Sequence, residues 1–468
     1  MGTRFDTSWV PDFNTDAGPK YRALSGAIED AIRSGALASG AKLPPVRELA
    51  WEIGVTPGTV ARAYREATEA GALRATVGQG TFVRERRETG TFIPLHPLTN
   101  LPAEGQVDLR NSRSPMVGQE HMINEAITRV ISRGSVVLDD YTRATNDYST
   151  RTALANWLGK GGVVADEDSI VPTYGAQQAV LVAMMACTSG PHPVVAVSDL
   201  IYPGFQQAAK LAGITLYPIK SDEHGLCINA LAEACRVARP QAMLVTPNLH
   251  NPTLVTMPES RRAEIAELAR AHDLQIIEDD VYGWLMSSRP PSFPSFAPER
   301  TWYATSMSKC IAAGLRFGCL VTPPGRGPIG QGIIQAMNYR VSSLIGQIVV
   351  ELIESGIADE IRVSAREHLE ARAALLRRHL APWGVRTAEG ANFAWLSLPE
   401  GWHLAAFDRA CAEAGVRVAT AGAYVLPGAD VPNKIRIALG MGLSDEVFSD
   451  CLTRISRILA HPPVELMA

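Results

Sequence analysis

Residues 306–318 read SMSKCIAAGLRFG and begin at the end of a short apolar run that is typical of a buried strand. A lysine just after a strand is by itself most often a surface residue. Here, however, the hydroxyls of Ser306 and Ser308 and the guanidinium of Arg316 are suited to holding a phosphate. The amine of Lys309 becomes a nucleophile when its surroundings lower its pKa. The stretch therefore suits a phosphorylated aldehyde cofactor that is bound to Lys309 as a Schiff base.

On both sides of this stretch, the chain from residue 106 onward alternates short apolar runs with amphipathic helical segments such as residues 259–272. The runs predicted as strands are residues 169–173, 193–198, 241–246, 274–279 and 302–306. Such alternation predicts an α/β fold with a mostly parallel sheet and helices on its faces. Because open sheets of this kind bind ligands at the carboxyl ends of their strands, the polar residues that follow these runs are the candidate site.

Residues 278–282, EDDVY, end one of the predicted strands. A carboxylate at Asp279 can pair with a protonated pyridine nitrogen, a pairing that makes the ring an electron sink. The hydroxyl of Tyr282 can then reach an oxygen on the same ring. Asp280 cannot point the same way as Asp279, because successive side chains of a strand alternate between its two faces. The alternative interpretation of this run is a solvated strand end.

Three weaker features lie at other predicted strand ends. Asn251, in the run TPNLHNPT, can donate its amide to a phenolate oxygen, although Asn-Pro is also a common turn. Residues 174–178, YGAQQ, open a helix whose free N–H groups can bind an anion, although glycine is common at such turns. Arg436, in the run KIRIA, can hold a carboxylate through two hydrogen bonds, although most such arginines are exposed or form salt bridges.

Together, the order and spacing of these motifs resemble those of fold-type I aminotransferases over about residues 106–460. The resemblance implies a large α/β domain with a small C-terminal α/β subdomain, and pyridoxal phosphate as the cofactor. It implies that Lys309 carries the cofactor, that Asp279 faces the pyridine nitrogen and that Arg436 binds the acid group of an amino compound. The other cofactor-binding residues that it implies are Gly175, Ala176, Gln177, Tyr202, Asn251, Tyr282, Ser306, Ser308 and Arg316, with Tyr141 reaching the phosphate across a dimer.

The sequence departs from that family at two loops over the site. Asn251-Pro252-Thr253 is followed by Leu254, where the family pattern has a glycine. Residues 141–156 lack the glycine that the family places before a Leu-Arg pair. We therefore expect cofactor binding to be retained more fully than fast catalysis.

The N-terminal part of the chain has a different pattern. Helices are predicted over residues 19–33, 45–53 and 58–70, and two short β-type runs follow at residues 72–77 and 81–84. Gly78-Gln79-Gly80 joins these two runs, as expected of a hairpin. This order of elements predicts a winged helix-turn-helix.

The strings LPPVRELAWEIGVTPGTVARAYREATEAG and GQGTFV resemble the DNA-binding domain of the GntR family. The resemblance implies that the helix over residues 58–70 enters the major groove of double-stranded DNA. The DNA contacts that it implies are Arg47, Thr56, Thr59 and Arg62 in the helices, with Gly80 and Thr81 in the wing. Pro57 occupies a position where relatives often have arginine, and the alternative for Arg62 and Arg65 is a solvated helix face.

The sequence thus divides into a DNA-binding domain at residues 1–84, a linker at 85–105 and a cofactor-binding effector and dimerisation domain at 106–468. The linker contains three prolines and two glycines and has no helical periodicity. This domain order resembles MocR-type transcriptional regulators. The resemblance implies a homodimer that senses an amino acid or related amine, the compound replacing Lys309 in an external aldimine.

Composition sets further bounds on function. The net charge is −4, and residues 1–90 hold 12 Lys and Arg against 11 Asp and Glu, so DNA binding requires that the basic groups share one face. Seven scattered cysteines without a close pair indicate neither a disulfide framework nor a metal site. Without a long apolar run or a signal segment, we expect a cytoplasmic protein that does not contact membranes.

Two other functions remain open from the sequence. The chain can be an active aminotransferase with an accessory DNA-binding domain, because each catalytic group named above is present. It can also be a plain repressor whose large domain only dimerises. The identity of the effector, and whether the protein activates or represses, are not encoded in any motif that we recognise.

Overall fold

The computed structural model describes residues 9, 11, 19–34, 37, 40–69, 72–76, 80–83, 103–134, 136, 144–426, 429–440 and 442–463. The chain divides into two compact units, Met1–Pro94 and Leu95–Ala468. The division falls within the predicted linker, most of which lies outside the described residues.

The first unit contains three helices and a hairpin, in the predicted order. The elements are α1 (Lys20–Ser34), α2 (Val46–Glu52), α3 (Pro57–Glu69), β1 (Leu73–Thr76) and β2 (Gly80–Val83). Leu24 and Ile28 of α1 are fully buried against Val60 and Ala63 of α3, as their helical spacing predicts. The strands pair antiparallel, with Thr76 opposite Gly80. The predicted winged helix-turn-helix is confirmed, with each element end shifted by one residue.

The second unit contains fourteen further strands and eleven further α-helices among its described residues. The strands are β3 (Val107–Asp108), β4 (Ile170–Thr173), β5 (Val194–Ser198), β6 (Thr215–Ile219), β7 (Ser221–Asp222), β8 (Gly225–Leu226), β9 (Ala242–Val245), β10 (Gln275–Asp279), β11 (Thr301–Ser306), β12 (Gly318–Val321), β13 (Phe393–Ser397), β14 (Val416–Arg417), β15 (Ala419–Thr420) and β16 (Lys434–Ala438). The helices are α4 (Gln119–Ser132), α5 (Ala144–Lys160), α6 (Ala176–Cys187), α7 (Pro203–Leu211), α8 (Ile228–Val237), α9 (Glu259–Ala271), α10 (Gly327–Asn338), α11 (Ser343–Glu354), α12 (Ile357–Leu380), α13 (Leu404–Glu413) and α14 (Asp445–Leu459).

Seven of these strands form the central sheet, in the order β4-β12-β11-β10-β9-β5-β6. The strands from β11 to β6 in that order run parallel, and β12 is antiparallel to both of its neighbours. Strands β9, β11 and β12 are buried at every residue, because helices such as α6 cover the sheet. The five predicted strands are all present, and the predicted α/β class is confirmed. The sequence analysis did not identify β6 or β12.

A second, smaller sheet lies near the C-terminus, where β13, β16 and β15 pair antiparallel. It corresponds to the expected C-terminal subdomain. Strand β14 pairs in parallel with β3, so that Val107 lies opposite Val416. The beginning of the second unit is therefore held against its C-terminal part. Within the described residues, no helix is both long and apolar enough to cross a membrane.

Candidate functional site

A cavity of about 540 Å³ lies at the carboxyl edge of the central sheet. Ten of the thirteen residues predicted for the cofactor and effector line it: Ala176, Gln177, Tyr202, Asn251, Asp279, Tyr282, Ser306, Ser308, Lys309 and Arg316. They come from the ends of four different sheet strands and the loop after a fifth. The topology thus brings together residues that are far apart in sequence, as expected of an open α/β sheet. Tyr141 lies outside the described residues.

Lys309 follows β11 and is a half-buried residue that lines this cavity. Its Nζ donates a hydrogen bond to the carbonyl oxygen of Ser112 at 2.5 Å. Burial, together with the positive charges of Arg436 and Arg316, lowers the pKa of Lys309 to about 8, although the carboxylate of Asp279 acts in the opposite direction. A sizeable fraction of this amine is therefore unprotonated near neutral pH, as a nucleophilic lysine requires.

Asp279 ends β10, and its carboxyl group is 4% exposed. Burial, and the neighbouring charge of Asp280, raise its pKa to about 7. The hydroxyl of Thr246 donates to Oδ2 at 3.2 Å, but Oδ1 is buried and has no hydrogen-bond partner among the described residues. A buried acceptor without a donor is costly. The N–H of a protonated pyridine ring in the cavity would satisfy it, so this carboxylate fits pyridoxal phosphate.

The protein also has residues suited to binding the phosphate of the cofactor. Gly175 has φ of +85° and precedes α6, whose first N–H groups belong to Ala176 and Gln177. A Cβ on Gly175 would lie 3.2 Å from an Arg316 guanidinium nitrogen, so the glycine allows the close approach of the arginine. The hydroxyl oxygen of Ser308 is buried, and no residue that the structure describes forms a hydrogen bond with it. These groups form a donor-rich pocket that fits a phosphate. Gly175 supports this pocket but does not line the cavity.

Arg436 lies in β16 and does not line the cavity either, but it contacts a residue that does. Its Nη1 donates to Oδ1 of Asn251 at 2.8 Å, and its Nη2 donates to the carbonyl oxygen of Arg110. Arg436 is 2% exposed, and within the part of the chain that the structure describes its Nε has no hydrogen-bond partner. The guanidinium carbon is 5.2 Å from the ring centroids of both Phe393 and Tyr424. A buried arginine with unused donors can bind a carboxylate that enters from the cavity.

Tyr282 and Tyr202 are the two aromatic residues predicted for the ring of the cofactor. The hydroxyl of Tyr282 is 3.5 Å from Oγ of Ser112, and burial raises the pKa of Tyr282 to about 12. This phenol is therefore a neutral hydrogen-bond donor. Tyr202 precedes α7 and is 38% exposed, so its ring is available on one side of the cavity.

The loop after Asn251 shows the consequence of one departure from the family pattern. Leu254 has φ of +64°, in the left-handed region that glycine adopts without strain. Its side chain is 5% exposed and belongs to a small apolar cluster with Tyr282 and Phe393. Leucine at this position therefore combines backbone strain with packing next to the cavity.

One side of the cavity is formed largely by residues that the sequence motifs do not indicate. Seven lining residues were not predicted: Asp108, Asn111, Ser112, Arg113, Phe205, Val281 and Ala313. The first four belong to one segment that begins at the end of β3, and no periodic pattern marks it. The segment lies at the cavity because β3 pairs with β14, a strand far away in sequence, and local sequence gives no signal for this pairing.

Three of the predicted DNA contacts lie at or near the start of α3. The hydroxyls of Thr56 and Thr59 are 2.9 Å apart, and the Thr59 N–H donates to Oγ1 of Thr56 at 3.3 Å. This is helix capping, so both residues also stabilise the helix start. Arg62 is exposed one turn later, and its guanidinium carbon is 3.9 Å from the ring centroid of Tyr21. Arg47 is exposed on α2.

The two wing residues have structural contacts of their own. Gly80 has φ of +117°, and a Cβ there would lie 2.9 Å from Cε of Lys42. The carbonyl oxygen of Thr81 accepts from the N–H of Leu43 at 2.9 Å. Thr81 thus hydrogen-bonds the wing to the segment before α2, and Gly80 allows the side chain of Lys42 in that segment to approach closely. A structural role accounts for Gly80 without DNA, so its predicted DNA contact stays a prediction.

Comparison with known proteins follows the same division. Residues 118–455 match the family model described as aminotransferase class I and II, and residues 20–83 match that of the bacterial regulatory proteins of the gntR family. A protein of Bacillus subtilis (strain 168) described as the uncharacterized HTH-type transcriptional regulator YdeF is 27% identical over 97% of each chain. The Escherichia coli (strain K12) protein described as the uncharacterized HTH-type transcriptional regulator YjiR is 26% identical, over 93% of this chain and 98% of its own.

Among solved structures, LysN, the alpha-aminoadipate aminotransferase from Thermus thermophilus, is similar in fold, with a TM-score of 0.68 and 23% identity. The match covers 76% of this chain and 92% of that chain.

Proposed function

The chain belongs to the aminotransferase class I and II family, and from this premise we propose that it is a DNA-binding transcriptional regulator of the MocR type. In this proposal, the second unit holds pyridoxal phosphate and senses an amino acid or related amine at Lys309. The observation that carries the proposal is that one chain contains both a GntR-type winged helix-turn-helix and a cavity that gathers Lys309, Asp279 and Asn251. An enzyme has no need of the first feature, and a plain repressor has no need of the second.

The residues at the cavity divide between the parts of the cofactor. Lys309 would be its covalent partner, Asp279 would pair with the ring nitrogen, and Asn251 and Tyr282 would contact the ring oxygen. The phosphate would be held by Gly175, Ala176, Gln177, Ser306, Ser308 and Arg316, with Tyr202 against the ring. Bound there, pyridoxal phosphate supplies an electrophilic aldehyde carbon and a ring that accepts electrons.

Sensing then depends on two groups of this chain. The amine of the effector competes with Nζ of Lys309, and its acid group competes for the Arg436 guanidinium. That guanidinium now donates to Asn251 and to the Arg110 carbonyl oxygen. An effector shifts the protein between states only by the difference in its affinity for them, and coupling of about 1–3 kcal/mol suffices for regulation.

Two further parts of the proposal concern assembly and location. We propose a homodimer in the cytoplasm, with Tyr141 reaching the phosphate across the dimer. The DNA contacts would come from Arg47, Thr56, Thr59 and Arg62, and Gly80 and Thr81 would place the wing near the DNA backbone. Light scattering on the purified protein tests the dimer, and a monomeric mass would contradict it.

The experiment that tests the function is an absorption titration of the purified full-length protein with amino acids, amines and aminosulfonates, without any keto acid. A yellow band that one compound shifts lastingly, together with a change in DNA affinity, supports the regulator. A colourless protein that borohydride does not label at Lys309 would contradict it and favour the plain repressor.

The second candidate function is an active aminotransferase with an accessory DNA-binding unit. It is favoured by the lowered pKa of Lys309, since a neutral amine near an acidic group can also move protons. Two results together would favour this candidate over the regulator. The yellow band would convert to the near-ultraviolet band of aminated cofactor, and multiple turnover would follow once a keto acid is added.

A further inference from the structure

The charged groups that line the cavity are three cations and two carboxylates: Arg113, Lys309, Arg316, Asp108 and Asp279. Asp108 is already neutralised, because Arg110 donates to both of its oxygens, from Nε at 2.9 Å and from Nη2 at 3.0 Å. Arg110 itself is 5% exposed and does not line the cavity. The Asp108–Arg110 pair therefore leaves no free charge for a ligand.

The proposed function assigns a binding partner on the cofactor or the effector to each of the other charged side chains at the cavity except one. Asp279 would meet the ring nitrogen, Lys309 the aldehyde and Arg316 the phosphate. Arg436, behind the cavity wall, would bind the α-carboxylate of the effector. Arg113 has no role in that scheme, and it forms no salt bridge with any residue in the described part of the chain.

The backbone around Arg113 is held firmly on both sides. Nδ2 of Asn392 donates to the Arg113 carbonyl oxygen at 3.2 Å. The preceding carbonyl, of Ser112, accepts from Lys309, and the hydroxyl of the following Ser114 donates to the Ile311 carbonyl oxygen at 3.1 Å. The side chain of Arg113, in contrast to its backbone, is not held in this way: it is exposed and lines the cavity. A fixed backbone reduces the entropy that the arginine loses when it binds a ligand.

The position of Arg113 along its segment places it beside the effector. The carbonyl of Arg110 contacts Arg436, and the carbonyl of Ser112 contacts Lys309. The segment thus runs past the group that would bind the α-carboxylate and then past the group that would meet the amine. Arg113 comes next. Because Arg113 lines the same cavity as Lys309, its guanidinium is a candidate partner for a side chain that extends from an amino acid bound there.

We propose that Arg113 determines effector specificity by binding a second acidic group, so that the effector is an amino acid with a side-chain carboxylate. The planar guanidinium presents a fork of donors that matches a carboxylate. The inference rests on the proposed function, because it assumes that an amino compound occupies the site. It names the chemical class of that compound, which the motifs leave open.

The test compares matched pairs of probes in the cofactor-loaded, full-length protein. L-glutamate is paired with L-glutamine, and L-2-aminoadipate with L-norleucine, and the midpoint of the absorption change is measured for each. We expect each acidic probe to bind at least about tenfold more tightly than its neutral partner, as a charge-assisted hydrogen bond provides. Arg113→Gln should remove this preference by weakening only the acidic probes, and Arg113→Lys should retain part of it. Arg378→Gln, an exposed arginine of α12 outside the cavity, is the matched control.

Each other outcome overturns the inference in a distinguishable way. If neutral probes shift the spectrum as tightly as acidic ones, the proposed function stands and Arg113 has no role in specificity. If Arg113→Gln weakens all probes equally and the protein also loses cofactor on dialysis, Arg113 holds the phosphate instead. If no amino compound changes the spectrum, the proposed function fails and this inference fails with it. Thermal unfolding of the cofactor-loaded variants shows whether Arg113→Gln has kept the fold of the second unit.

Discussion

The guanidinium of Arg62 stacks on the ring of Tyr21, with 3.9 Å between the guanidinium carbon and the ring centroid. The contact joins α3, which carries two of the predicted DNA contacts, to the half-buried Tyr21 of α1. Arg62 remains exposed, so the stack contributes only about 0.5–1 kcal/mol. Its larger effect is to orient the Arg62 side chain, because the Tyr21 ring restricts the orientations that the guanidinium can adopt before DNA binds.

We therefore predict that Arg62→Ala weakens DNA binding and lowers the slope of log affinity against log salt by about 1, as expected for one lost phosphate contact. Tyr21→Leu keeps the charge and loosens its orientation, so affinity should fall less and the slope should stay the same. Arg65→Ala, on the same helix, is the matched comparison. Binding isotherms at several salt concentrations measure both quantities, and an Arg62→Ala protein with unchanged affinity and slope would remove Arg62 from the interface.

A second prediction concerns Lys309→Ala. The variant lacks the amine that would hold the cofactor covalently, so borohydride should no longer fix cofactor to the protein, and the effector should no longer change DNA affinity. DNA affinity without effector should stay close to that of the wild type, because the substitution lies in the other unit. The measurement is DNA affinity with and without effector. A normal effector response in Lys309→Ala would rule out sensing through this lysine.

Local sequence is enough to predict some of the site residues. Each of Lys309, Asp279 and Asn251 lies at or after the end of a buried strand, and the alternation of such apolar runs with turns is a local signal. Arg113 was missed because its place at the cavity depends on the pairing of β3 with β14, which only the folded chain specifies.

The sequence indicates where the site residues lie better than it indicates which groups their side chains contact. Nothing in the helical pattern indicates that Arg62 lies over Tyr21, since the two residues belong to different helices. The missing glycine at Leu254 was visible, but its left-handed backbone and its packing against the site were not. Motifs thus indicate which residues would bind the cofactor or the effector. Tertiary packing determines how the side chains of these residues are oriented and which groups they contact.

A third prediction uses the raised pKa of Asp279 in cofactor-free protein. The folded state keeps a proton on this carboxyl up to about pH 7, whereas the unfolded chain releases it near the ordinary value of 3.8. Stability therefore falls as pH rises through that window, by up to about 4 kcal/mol. Asp279→Asn does not titrate, so the variant should gain stability relative to the wild type between about pH 4 and pH 8. Thermal unfolding at the two pH values measures the difference.

If the stability difference between Asp279→Asn and the wild type does not change with pH, the carboxyl is ionised in the folded state throughout. Saturation with pyridoxal phosphate offers an independent check. The ring nitrogen would then provide the missing partner, and the pH-dependent advantage of Asp279→Asn should shrink.

The last prediction concerns Arg262, a fully buried arginine beneath the site. Its Nη2 donates to Oδ1 of Asn248 at 2.6 Å, and Nδ2 of Asn248 donates to Oδ1 of Asp280 at 2.9 Å. Its Nε donates to the Met257 carbonyl oxygen at 3.0 Å. The guanidinium thus ties both ends of the loop that carries Asn251 to the end of β10.

Replacing this arginine leaves buried negative charge without compensation. Burial and Asp280 raise the pKa of Glu278 to about 8, and the positive charge of Arg262 opposes that rise, so loss of Arg262 should raise this pKa further. Arg262→Met, which keeps most of the side-chain volume, should therefore cost about 3–5 kcal/mol of unfolding free energy at about pH 9.5, where Glu278 of the wild type is ionised. The loss should be smaller at about pH 7, because Glu278 is then protonated in both folded proteins.

Arg262→Met should also weaken effector binding, since Asn251 holds the Arg436 guanidinium through the 2.8 Å hydrogen bond. Denaturant unfolding of the large unit at the two pH values tests the stability claim, with Arg378→Met, on the exposed face of α12, as the control for losing an arginine. A loss of the same size at both pH values would mean that Arg262 acts through packing and its carbonyl contacts alone. Neutralisation of Glu278 and Asp280 would then not be part of how the loop is held.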